Sequence, residues 1–89
     1  MPTVHYERGC RFYFNSNENN EPPHIHIYGK FSRKGGRMKV WLKNNCEIAE
    51  STPSRGIPDH EQTKLLAIVR TKKAKFLKEW YEFKKREQN

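Results

Sequence analysis

The chain is poor in the residues that build large or covalently braced interiors. Of its 89 residues only 34% are hydrophobic. A chain this short buries a modest fraction of its unfolded surface, so one thin apolar layer is expected, in a single domain over residues 1–89. It has two cysteines, Cys10 and Cys46, which suit neither a disulfide framework nor a Cys-x-x-Cys metal knuckle. Both thiols are expected to be free, in a reducing cytoplasm. No apolar run approaches the roughly 20 residues that cross a bilayer, and Met1-Pro2-Thr3-Val4 carries no basic-plus-apolar leader, so no membrane partner is expected. Acidic residues are also scarce, 10 Asp and Glu against 18 Lys and Arg, for a formal net charge of +8. That imbalance favours RNA or another polyanion, or an acidic protein, as partner, because cations that neutralise phosphates release condensed counterions.

What is present is concentrated in Glu21-Pro22-Pro23-His24-Ile25-His26-Ile27-Tyr28-Gly29. Two prolines end whatever precedes them and favour an extended backbone. Five alternating residues follow, and side chains on a strand point to alternate faces. Ile25 and Ile27 therefore face one side, and His24, His26 and Tyr28 the other. Cys10 to Phe14 repeats the pattern, with Cys10, Phe12 and Phe14 opposed to Arg11 and Tyr13. Arg37 to Leu42 repeats it again, with Met38, Val40 and Leu42 opposed to Arg37, Lys39 and Trp41. Three strands each separate apolar from basic-plus-aromatic side chains, as an antiparallel sheet covered on one side requires.

Between the strands, Asn15 to Glu21 reads as a loop and Lys30 to Gly36, with Ser32, Gly35 and Gly36, as a basic turn. Asn44-Asn45 is a turn, Cys46 to Ala49 adds a short edge strand, and residues 1–8 show no clear pattern. After a Pro- and Gly-punctuated loop over Ser51 to Pro58, Asp59 as N-cap and Gln62 resemble a capping box. The helix they open is expected to reach about Glu87. Leu65, Leu66, Val69, Phe76, Leu77, Trp80 and Phe83 recur at helical spacing, with Lys64, Thr71, Lys75, Lys78, Glu82 and Lys85 opposite. Lys72 and Lys73 interrupt the stripe, and one element with a local distortion is expected there. The fold class is α+β: a three- to four-stranded antiparallel sheet, about residues 8–50, covered on one face by a long C-terminal helix, about residues 59–87.

His24 and His26 admit three readings. They are two of the ligands of a metal site, although zinc needs a third and fourth. They are the general acid and base of metal-independent RNA cleavage, with Arg11, Arg37 or Lys39 stabilising the developing phosphorane. Or they pack as neutral, half-exposed sheet residues between Tyr13, Tyr28 and Trp41. No cofactor or metal site is assigned. Arg11, Tyr13, Tyr28, Arg37, Lys39 and Trp41 together make a basic-aromatic face that stacks unpaired bases and holds phosphates; the same residue types also suit a protein interface.

Four stretches carry a resemblance: Arg11-Phe12-Tyr13-Phe14-Asn15-Ser16-Asn17-Glu18, Glu21-Pro22-Pro23-His24-Ile25-His26, Lys39-Val40-Trp41-Leu42 and Phe76-Leu77-Lys78-Glu79-Trp80-Tyr81-Glu82-Phe83. They resemble the small bacterial domain-of-unknown-function 4160 family, with His24 and His26 at its signature positions. The resemblance implies a place beside another small protein in gene pairs of toxin–antitoxin type. The sheet-plus-helix layout with a histidine on the open face is also similar to HicA-like RNA-cleaving toxins, by architecture alone. The expected function is a cytoplasmic, RNA-interacting protein of toxin–antitoxin type, with metal-independent RNA cleavage by His24 and His26 as one open form of it. The alternative is a non-catalytic partner, the neutralising member of such a pair, with a metal-binding protein third.

Overall fold

The structure, a computed structural model, describes residues 3–15, 21–31, 33–49 and 55–87. Most of two expected loops, Ser16 to Asn20 and Ser51 to Ser54, lies outside the described residues. Four strands, β1 (Thr3–Glu7), β2 (Cys10–Tyr13), β3 (His24–Phe31) and β4 (Lys34–Trp41), are followed by α1 (Asp59–Thr71) and α2 (Lys73–Glu87). The strands pair antiparallel in chain order, β1-β2-β3-β4.

The fourth strand is β1, from the stretch that showed no pattern. Its register against β2 shifts between Thr3 and His5, and such a bulge breaks the two-residue alternation by which a strand is recognised. Arg8 and Gly9, both at positive φ, form its turn into β2; two positive φ values in succession suit a tight hairpin. The expected edge strand at Cys46 to Ala49 is a single bridge between Val40 and Ile48. The Trp41 amide donates to the Glu47 carbonyl at 2.9 Å and the Ala49 amide to the Lys39 carbonyl at 2.8 Å on either side of it.

The basic turn expected over Lys30 to Gly36 is corrected. β3 and β4 run on to Phe31 and from Lys34, leaving only residues 32 and 33 between them. Gly36 is strand, not punctuation. A Cβ there would lie 2.8 Å from the Gly56 carbonyl oxygen, so glycine lets the 55–57 segment cross β4 closely. Beside that crossing, Arg37 and Arg55 exchange backbone hydrogen bonds of 2.8 and 3.0 Å.

All eight apolar residues expected on the inner face, Cys10, Phe12, Phe14, Ile25, Ile27, Met38, Val40 and Leu42, are buried, although Phe14 and Leu42 lie one residue past the ends of β2 and β4. Leu65, Ile68, Val69, Phe76 and Trp80 cover them from the helices, with Leu66, Leu77 and Phe83 at the margin. Phe76 stacks on Phe12 with ring centroids 5.8 Å apart. His5, on the core side of β1, meets both rings edgewise or tilted and donates from Nε2 to Glu7 Oε1 at 2.7 Å. Burial pushes both thiols up in pKa, and both are free.

Two corrections concern the helical part. The N-cap is Pro58 rather than Asp59, and no side chain caps the helix. Gln62 Nε2 donates instead to the Ile57 carbonyl at 2.7 Å, because proline has no N–H for a capping box to satisfy. The single helix is two, interrupted at Lys72 (φ −103°, ψ 17°). Hydrogen bonds continue on both sides, Lys72 N–H to the Ile68 carbonyl and Phe76 N–H to the Lys72 carbonyl. The interruption coincides with two cations held by a neighbouring loop: Arg70 Nε donates to the Asn45 carbonyl and Lys73 Nζ to the Asn44 carbonyl, both at 2.8 Å. At the far end of α1, Arg8 grips Glu61 at 3.1 Å, tying the β1–β2 turn to the helix. Among the described residues no helix is long and apolar enough to cross a membrane.

Candidate nucleic-acid interface

With both helices on the apolar face, the other face of the sheet is left uncovered by them, and the register decides which side chains become neighbours there. Tyr13 pairs with His26, which pairs with Lys39; His24 pairs with Trp41; Arg11 pairs with Tyr28, which pairs with Arg37. Directly paired residues share a face. All eight expected site residues therefore lie on one side of the sheet. They do not lie at one depth.

One half is sunk and braced. Lys39 has a side chain only 3% exposed, with Nζ 2.8 Å from Glu21 Oε1 and 4.9 Å above the Trp41 ring. His24 is 2% exposed. Its Nδ1 donates to the Pro22 carbonyl at 2.9 Å, which fixes that nitrogen as the protonated one, since a carbonyl only accepts. Its Nε2 lies 3.7 Å from Glu21 Oε2, and its ring meets Trp41 edgewise. Glu21 is thus the pivot of this half. The sequence reading placed it in a loop, although its position just before Pro22-Pro23 and three residues ahead of His24 was the available signal.

The other half is open. Tyr28 is 39% exposed, Arg37 and Lys30 are exposed, and Arg11, Tyr13, His26 and Trp41 are half-buried. The Arg11 guanidinium lies 4.6 Å above the Tyr13 ring, a cation–π contact, and Tyr13 in turn stacks on His26 at 5.4 Å. His26 meets His24 edge-on at 5.1 Å, so the half-buried histidine leans on the buried one. Tyr28 lies over Gly35, where a Cβ would stand 2.7 Å from its hydroxyl. A shallow groove of about 460 Å³ runs along Tyr6, Gly9, Arg11, Tyr28, Gly29 and Lys30. Tyr6 and Lys30 were not among the expected site residues: Tyr6 joins the face through its pairing with Arg11, and Lys30 because β3 runs on through the expected turn.

Chemically, this surface offers cations, ring faces and one accessible imidazole. It does not present His24 and His26 to solvent as two equivalent proton-transfer groups. Among the described residues no three His, Cys, Asp or Glu side chains converge as metal ligands would. His5 lies on the core side, and His60 stands exposed on α1. The family model described as "Domain of unknown function (DUF4160)" matches residues 9–81, from the β1–β2 turn into α2. No curated protein and no solved structure matches the chain.

Proposed function

This chain belongs to the DUF4160 family of domains of unknown function, and on that premise we propose that its open sheet face binds RNA, in a protein of toxin–antitoxin type working in the cytoplasm. The observation that carries the reading is the open half of the face. Exposed Arg37 and Tyr28 stand beside half-buried Arg11, Tyr13, His26 and Trp41 in a chain of net charge +8. Cations that hold phosphates and rings that stack bases are the two elements of sequence-tolerant RNA binding.

Binding is favoured over cleavage. Cleavage by His24 and His26 as acid and base asks both imidazoles to reach a ribose-phosphate. His24, 2% exposed, is placed to hold His26 rather than to meet substrate. In a cleaving form of this protein, His26 is the reachable proton-transfer group, and His26→Ala would abolish chelator-resistant cleavage.

The test is fluorescence anisotropy of a short unstructured RNA over a series of salt concentrations. Affinity should fall log-linearly with salt. Arg37→Gln should weaken binding and flatten the slope by about 0.7, the value for one phosphate contact on a single strand. Absence of binding by the wild-type protein would refute the reading and assign the face to a small cognate protein, with this chain as the neutralising member of the pair.

A further inference from the structure

The uncovered face contains a line of five residues that crosses every strand. Tyr6 pairs with Arg11, Arg11 with Tyr28 and Tyr28 with Arg37, and Arg37 forms an antiparallel bridge with Arg55. Resting on the RNA reading above, we infer that this line is the path of a single RNA strand running across the sheet, with bases stacked on Tyr6 and Tyr28 and phosphates held by Arg11, Arg37 and Arg55. Tyr6 and Arg55 are new to the site, and one comes from each edge of the sheet.

Three observations carry the inference. First, rings and cations alternate over the first four positions. Neighbouring strands lie about 4.8 Å apart, so the two tyrosines repeat at roughly 10 Å, as do Arg11 and Arg37. Second, Arg37 and Arg55 sit directly opposite one another, both exposed. Like charges facing across a bridge destabilise it, and neither guanidinium has an ion pair with a described carboxylate. A phosphate between them turns that repulsion into attraction. Third, Tyr6 is 71% exposed and lines the groove with Arg11, Tyr28 and Lys30, so a ring face is available there before any ligand arrives. Stacking needs an unpaired base, because a duplex hides its base faces. The two phenolic hydroxyls offer a 2′-hydroxyl a donor or acceptor that DNA leaves unused.

The experiment measures anisotropy on single-stranded RNA, the corresponding duplex and single-stranded DNA. Tyr6→Ala should weaken single-stranded RNA binding by about 5- to 150-fold with little change in salt slope, and Tyr6→Phe should restore the stacking part while narrowing the preference for RNA over DNA. Arg55→Gln should flatten the slope by about 0.7. Lys75→Gln and Lys78→Gln, on the exposed back of α2, should bind as wild type. All these side chains are exposed, so the variants should melt with the parent protein. If Tyr6→Ala and Arg55→Gln bind as wild type while Arg37→Gln does not, the path is overturned and the RNA reading stands. Duplex RNA or single-stranded DNA binding as tightly as single-stranded RNA also overturns the path as drawn. Wild-type protein that binds no RNA overturns both.

Discussion

Phe76→Ala tests the packing that holds the open face in place. Phe76 is fully buried, stacked on Phe12 and tilted against His5. A buried phenylalanine removes about 150–250 Å² from water, which at about 25 cal/mol per Å² is roughly 4–6 kcal/mol. Alanine retains part of that, and large-to-small core changes at phenylalanine cost about 3–5 kcal/mol in practice. Domain stabilities are on the order of 5–15 kcal/mol, so the variant keeps little reserve. In a domain of this size each kcal/mol moves Tm by about 4–8 °C, and a drop of at least about 12 °C is expected. Urea unfolding followed by circular dichroism measures the cost directly. Phe76→Leu, which keeps an apolar side chain but loses three ring carbons and the stack on Phe12, should cost less than Phe76→Ala. Tyr81→Ala, at a position 54% exposed on the same helix whose ring meets Trp80 edge-on, should cost no more than about 1.5 kcal/mol. If Phe76→Ala costs under about 1 kcal/mol, or if Tyr81→Ala costs as much as Phe76→Ala, the buried face of α2 has been misassigned.

The Glu21–Lys39 pair should respond asymmetrically. Glu21→Gln leaves the ammonium of Lys39, 3% exposed, without its anion, whereas Lys39→Met leaves Glu21, 34% exposed, free to rehydrate. Glu21→Gln should cost about 2–3 kcal/mol, below the 3–5 kcal/mol of a fully buried pair, and Lys39→Met clearly less; equal costs in denaturant melts would contradict the burial of Lys39. The brace between Arg8 and Glu61 should weaken in acid. The hydrogen bond from Arg8 holds the Glu61 carboxyl below its ordinary pKa, so its contribution is complete above the unfolded-state value of about 4.3 and is lost as pH falls through the folded-state value. The Tm difference between wild type and Glu61→Gln should therefore shrink from neutral pH towards about pH 3, and a constant difference would remove the brace from the account.

The two faces of the sheet were legible because period-two alternation in β2, β3 and β4 needs no knowledge of partners. All eight apolar positions so assigned are buried. β1 was illegible because its register shift removes that period. Gly35 and Gly36 were misread as turn residues, since glycine marks close approach and chain reversal alike. The depth of the site was beyond the sequence for a different reason. Alternation places His24 and Lys39 on the correct face, but their burial depends on the chain around Glu21 and Pro22 folding back onto that face. Tyr6 and Arg55 join the line only through pairing, which alternation does not specify. The helix stripe was visible. Its interruption was not, because the carbonyls that hold Arg70 and Lys73 lie more than twenty residues away in sequence.

The order of elements along the chain also shapes how the protein must be made. All four strands precede both helices, so during synthesis the sheet leaves the ribosome with Phe12, Ile25, Ile27 and Val40 bare. Hairpin-type pairing takes about 1–10 μs where it is stable, whereas residues are added at about 5–20 per second. Phe12, Ile25, Ile27 and Val40 are therefore made seconds before Phe76, the ring that stacks on Phe12 in the finished fold. Helices of 13 and 15 residues are marginal in water by themselves, so each depends on the sheet it packs against. A stall between Trp41 and Phe76 would leave the apolar residues of β2, β3 and β4 without the helices that cover them, open to chaperones and to aggregation.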